Sequence, residues 1–103
     1  MTNSLDLLEP NLLLEAIGSY DYYTPSQRLI LQIIVQTSIA GKSKITTAFI
    51  AEKANVSRTA VYKTLKKFIE EGDISFDMNN KTRQRSILLN IDSMQKIVSP
   101  VSY

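Results

Sequence analysis

Thr47-Ala48-Phe49-Ile50-Ala51-Glu52-Lys53-Ala54-Asn55-Val56-Ser57-Arg58-Thr59-Ala60-Val61-Tyr62-Lys63-Thr64-Leu65 is the stretch on which the fold turns. Thr46 or Thr47 caps a short helix carrying Ala48, Phe49, Ile50, Ala51 and Ala54, since a threonine oxygen accepts from the orphan amides of a first turn. Asn55 interrupts that helix, because asparagine tolerates the left-handed backbone that a tight turn between helices requires. Ser57 caps the next helix. Its apolar stripe is Val61, Leu65, Phe68 and Ile69, and Glu70-Glu71-Gly72 closes it. Ala51 is small where the second helix crosses the first, Val56 plugs the core after the turn, and Val61 anchors one helix to the other.

Downstream the apolar period changes from 3.6 to 2, as a half-buried strand requires. Ile74, Phe76 and Met78 alternate with Ser75 and Asp77. Asn79-Asn80-Lys81-Thr82-Arg83 is a polar hairpin tip, and Ser86 to Ile91 is the return strand. Residues 92–103 read as a C-terminal tail, with room for a short helix before Pro100.

Upstream, Thr24-Pro25-Ser26-Gln27 is a helix start: Thr24 caps, Pro25 suits the first helical position, and Gln27 completes a capping box. Leu29, Ile30, Ile33, Ile34 and Val35 form its body, and Gly41 serves as its stop near Ala40. Lys42 to Lys44 read as a polar turn, with a very short strand opening at Ile45. Residues 1–23 are leucine-rich (Leu5, Leu7, Leu8, Leu12, Leu13, Leu14). They read as a loose arm followed by a helix from about Glu9 to Gly18. The fold class is mainly α with a small antiparallel β-wing (α+β), its main domain spanning residues 24–91.

Two short helices, a tight turn and an immediate hairpin resemble the winged helix-turn-helix superfamily. "TPSQRLILQIIV", "FIAEKANVSRTAVYKTLKKFIEEGDI" and the hairpin look like the winged helices of bacterial and phage regulators and plasmid replication initiators. The resemblance covers Thr24 to Ile91. Asn55 stands where the family commonly has glycine, a mild departure. Thr64 stands where a larger apolar residue is common, with Leu65 placed to supply that contact. The resemblance implies duplex DNA binding, with the turn after Ser57 pointing into the major groove.

Helix geometry sharpens that implication. At ~100° per residue, Thr59, Tyr62, Lys63 and Lys66 share one arc, opposite Val61, Leu65 and Phe68. Ser57 and Arg58 lie at the amino-terminal turn. Arg58 and Lys63 suit guanine, Thr59 a methyl or hydrogen-bond contact, and Tyr62 an apolar or phosphate contact. Lys66 and Lys67, further along, suit phosphates. On the hairpin, Lys81, Thr82, Arg83, Gln84 and Arg85 suit phosphates or an adjacent minor groove. Thr46 and Thr47, at a helix start, add backbone-phosphate contacts. The bland reading is a solvated helix face and a hairpin kept soluble by its charges. The concentration of Arg58, Lys63, Lys66 and Lys67 on one helix without an intervening acid favours the DNA reading.

The charge balance agrees. Residues 1–40 hold Asp6, Glu9, Glu15 and Asp21 against Arg28, a net −3. Residues 41–103 hold eleven bases against six acids, a net +5. This asymmetry on a chain of net charge +2 indicates a polyanion-binding face rather than a basic coat.

The chain has 103 residues, 44% hydrophobic and 21% charged, enough for one small core. It contains neither cysteine nor histidine, which excludes disulfides, thiolate or histidine catalysis and His- or Cys-ligated metal. No carboxylate pair or activated lysine stands at a telling spacing. A non-enzyme without cofactor or metal is expected. Met1 to Pro10 lacks a basic n-region, and no apolar run nears the ~18 residues of a membrane span. A cytoplasmic protein is the expectation. The leucine-rich segment reads either as packing across the back of the domain or as a homodimer contact, with Tyr20, Tyr22 and Tyr23 at the same surface. From another class comes a winged helix that binds a protein partner. RNA binding ranks last, because Tyr62 is the one good exposed aromatic.

Overall fold

The computed structural model describes residues 10–79, 81 and 84–99. The elements run α1 (Pro10–Gly18), α2 (Pro25–Thr37), β1 (Lys42–Ser43), α3 (Thr47–Ala54), α4 (Arg58–Glu70), β2 (Ile74–Asn79), β3 (Gln84–Leu89) and α5 (Ile91–Val98). The three strands form one antiparallel sheet in the order β1-β3-β2.

Local chemistry sets the helix starts. The Gln27 amide donates to Thr24 Oγ1 at 3.2 Å, and the Thr24 amide donates to Gln27 Oε1 at 2.9 Å. This is the expected reciprocal capping box, worth about 1 kcal/mol through its threonine. Thr46, Ser57 and Asn90 cap α3, α4 and α5 by the same i to i+3 bond, at 3.0–3.1 Å.

The exit from α2 differs from the sequence expectation. The helix stops at Thr37 rather than near Ala40-Gly41, because Thr37 and Ser38 turn their hydroxyls back onto the Ile33 and Val35 carbonyls, both at 2.8 Å. Ile39 and Lys42 then exchange backbone hydrogen bonds of 2.8 and 3.0 Å across a two-residue turn. Ala40 (φ 53°) and Gly41 (φ 81°) both take positive φ, as such a hairpin turn demands. Gly41 thus serves a hairpin instead of a helix stop. The turn delivers the chain directly into β1, so the strand lies at Lys42–Ser43 and not at Ile45. Lys42 pairs with Leu88 and Ser43 with Ile87. Ser43 is buried, its hydroxyl 2.8 Å from that of Thr37.

One core runs through the described elements. Ile30, Leu31 and Ile34 of α2 meet Ile50 of α3, Val61 and Phe68 of α4, Ile74 of β2 and Ile87 of β3, all buried. Each such side chain contributes roughly 1.5–3 kcal/mol of transfer free energy. Leu13 and Ile17 of α1 and Met94 and Ile97 of α5 join the same core. Packing therefore accounts for those two leucine-segment residues, while residues 1–9 lie outside the described residues. Gln32 Nε2 donates to the Leu14 carbonyl and Arg28 Nη1 to that of Gly18, both at 2.9 Å, fastening α1 to α2. The segment expected as a C-terminal tail carries α5 at its head.

Two core assignments are corrected. Ile69 is 42% exposed, since the buried face of α4 is Val61, Thr64, Leu65 and Phe68, and Ile69 lies one step round from Phe68. Tyr23 leaves the surface expected for it. It is 2% exposed, packed edge-on against Phe68 with ring centroids 5.0 Å apart.

Candidate nucleic-acid interface

The turn between α3 and α4 sets the aim of α4. Asn55 takes the left-handed conformation (φ 55°, ψ 48°) that its short amide side chain tolerates. Its amide returns to the Ala51 and Glu52 carbonyls, and the Val56 amide to Ala51 at 3.0 Å. Ala51 is buried at the crossing and Val56 packs partly into the core, as expected. Ser57, Arg58, Thr59, Tyr62, Lys63 and Lys66 are all exposed on the outer face of α4.

Ion pairing sorts the cations. Arg28 lies 3.7 Å from Asp21, Lys42 3.2 Å from Asp77, and Lys67 3.4 Å from Glu71. Arg58, Lys63 and Lys66 have no carboxylate partner among the described residues. Lys67 is therefore set apart from the other α4 cations. Its ammonium also stands 5.2 Å over the Tyr22 ring, and the Tyr22 hydroxyl donates to Glu71 Oε2 at 2.8 Å. The hydrogen bond to Glu71 raises the Lys67 pKa above its ordinary value. This cluster also gives a role to Glu71, an acid otherwise misplaced at a helix carboxyl end; Glu70 stays exposed.

Behind that cluster lies Asp73, 5% exposed at the junction of α4 and β2. Its carboxylate accepts hydrogen bonds from the Tyr23 and Ser93 hydroxyls. Its amide donates to the Phe68 carbonyl at 2.8 Å, and its carbonyl accepts from the Asn90 amide at 2.9 Å. Burial first, then the bond to Asp73, push the Tyr23 hydroxyl far above the ordinary tyrosine range. Through its carboxylate and its backbone together, this one residue ties α4, the end of β3, α5 and the α1–α2 connection to each other. Nothing in the sequence spacing marks it, because its partners lie 50 and 20 residues away.

On the sheet, Arg85 is exposed and its guanidinium lies 4.8 Å from the Phe76 ring centroid. Lys81 is exposed as well. Thr82, Arg83 and the Gln84 side chain fall outside the described residues. Thr46 is the cap of α3 and Thr47 its first helical residue. Between α3, α4 and the sheet runs a cleft of about 590 Å³, lined by Lys44, Ile45, Thr46, Thr47, Ala48, Tyr62, Leu65, Phe76, Arg85 and Ile87. Lys44 was absent from the sequence-derived candidates, hidden in what read as a polar turn. Its only signal was a cation two residues before a helix cap.

Among the described residues no group of three or more His, Cys, Asp and Glu side chains can hold a metal ion. Nor is any described helix long and apolar enough to cross a membrane. A family described as an HTH domain matches residues 27–79, from the first turn of α2 to the end of β2. No curated protein and no solved structure matches the chain.

Proposed function

This chain belongs to the helix-turn-helix (HTH) domain family of DNA-binding domains, here with a wing, and from that premise we propose that it binds duplex DNA sequence-specifically. In this reading α4 enters the major groove, and the β2–β3 hairpin meets the backbone or the neighbouring minor groove. Arg58, Thr59 and Lys63 are the groove-facing set, with Ser57 at the helix entrance and Lys66 on the backbone phosphates. Lys81, Thr82, Arg83, Gln84 and Arg85 act from the wing, and Thr46 and Thr47 touch phosphate. The observation that carries the reading is the sorting of charge. Arg58, Lys63 and Lys66 stand exposed without a carboxylate partner among the described residues, while Arg28, Lys42 and Lys67 are each ion-paired within the protein.

The biological role in this reading is that of a transcriptional regulator, or of a plasmid or phage replication, partition or transfer protein. A homodimer would place two α4 helices on half-sites one DNA turn apart, ~34 Å. Leu12 of α1, 52% exposed, supports a contact of that kind. Selection of binding sites from random duplex DNA, titrated at two salt concentrations, tests both points. An enriched inverted repeat is expected, and its genomic positions would identify the process. Enrichment of no sequence, with affinity collapsing as salt rises, would overturn sequence-specific binding. It would favour instead a winged helix that binds a protein, for which the 82% exposed Ile39 and 51% exposed Met78 offer apolar contacts.

A further inference from the structure

The cleft between α4 and the sheet differs chemically from the rest of the basic surface. Its floor is apolar, formed by Ile45, Leu65, Phe76 and Ile87, and no acid lines it among the described residues. Two cations reach it from different elements: Lys44 from the β1–α3 connection and Arg85 from β3. Neither has a carboxylate partner among the described residues, although Lys42, two residues before Lys44, is held by Asp77. The Arg85 guanidinium rests over the Phe76 ring, 4.8 Å from its centroid, which holds the cation at the cleft wall. Two cations bordering one cleft with no acid among its described lining residues favour a compact anion there. A phosphate meets that need, accepting an arginine fork on one side and a lysine on the other.

We propose that this cleft seats one backbone phosphate of the bound duplex, held jointly by Lys44 and Arg85, with Tyr62 as its wall rather than as a base reader. The proposal rests on the reading of α4 as the groove-facing helix, which brings a DNA strand alongside the cleft. Tyr62 shares the outer arc of α4 with Thr59 and Lys63, yet its 54% exposed ring lines the side that faces the sheet. The seat ties the register of α4 in the groove to the position of the sheet, since one phosphate touches both. Phosphate contacts of this kind fix position and carry no sequence information of their own.

The test is a salt series of duplex affinities for the full chain and its Lys44→Gln, Arg85→Gln and double variants, on the selected site and on an unrelated duplex. One shared phosphate predicts that the double variant lowers the log–log salt slope by about 0.9 per bound protomer, equally on both duplexes. A fall of about 1.8 per bound protomer would mean two separate phosphates, and an unchanged slope would mean none; either result overturns the seat. Among the linkages where a single methylphosphonate weakens wild-type binding, the one at the seat should have no effect in the double variant. Tyr62→Ala should weaken both duplexes by the same factor, and a changed preferred sequence would overturn its role as wall. Inorganic phosphate saturating Lys44 and Arg85 resonances without DNA, while the double variant keeps the wild-type slope, would reassign the cleft to a free anion. If wild-type protein binds no duplex, the proposed function itself fails. Normal wild-type binding with indifferent variants removes only the seat.

Discussion

The two ends of α4 carry the same kinds of residue and meet opposite fates. At the amino-terminal end and along the outer face, Arg58, Lys63 and Lys66 extend without a carboxylate partner among the described residues. At the carboxyl end, Lys67 is held by Glu71 and Tyr22, and Asp73 gathers Tyr23 and Ser93 just beyond. In the proposed reading one end is left for DNA, and the other is spent on fastening the helix to the rest of the domain. The lesson is a subtraction: a run of cations shows its ligand face only after those with internal partners are removed. Exposed ion pairs such as Lys67–Glu71 add little stability themselves. The buried Asp73 network behind them is where the helix is tied down.

The comparison breaks first at Tyr23. Tyr23→Ala removes a buried ring and the partner of Asp73, and should cost about 3–5 kcal/mol in urea unfolding. Tyr23→Phe keeps the ring and loses one hydrogen bond to a charged group, about 1.5–3 kcal/mol. A loss below roughly 0.5 kcal/mol for the alanine variant, the range of ordinary surface changes, would show that this end of α4 is not fastened as described.

At the opposite end, Arg58→Ala or Lys63→Ala should leave unfolding nearly unchanged. Each should lose ~1–3 kcal/mol of affinity on the preferred site and relax its selectivity. If both are neutral while binding stays tight, α4 is not the reading element.

Alkaline pH sharpens the contrast further. Tyr23 keeps its proton in the fold where the unfolded chain releases it, near its ordinary value of 10.0. The stability tied to that proton is complete below pH 10 and drains away as pH rises past it. Wild type should therefore lose stability more steeply above pH 10 than Tyr23→Phe, measured by urea midpoints across pH 8–11. Parallel curves for the two proteins would remove Tyr23 from the account.

The smallest effect separates two adjacent lysines. Lys66→Gln should lower the salt slope of duplex binding by about 0.9 per bound protomer. Lys67→Gln should leave it in place, because its charge is already matched by Glu71. Equal losses from both would show that Lys67 swings free of Glu71 when DNA arrives.

Much of the framework was legible in the chain. Thr24 with Gln27, Thr46, Ser57 and Asn55 were readable because their chemistry reaches only three or four residues along the backbone. The alternation of Ile74, Phe76 and Met78 was readable because strand periodicity is equally local. The errors lie where a distant partner decides. The exit from α2 is drawn into a hairpin whose first strand is held by Ile87 and Leu88, some 45 residues on. Ile69 looked like core until the crossing of α4 over α3 and its contact with β2 chose Thr64 for the buried face.

The sequence by itself determined that this protein is a small winged helix-turn-helix with a cationic second helix in its motif, because caps, turns and periodicity act over a few residues. The tertiary structure decided which cations face outward and which are consumed. It buried Tyr23 on Asp73, bound Lys67 to Glu71, and brought Lys44 and Arg85 to one cleft. Charges attract through space and not along the chain, so their pairing follows from the packing of distant elements.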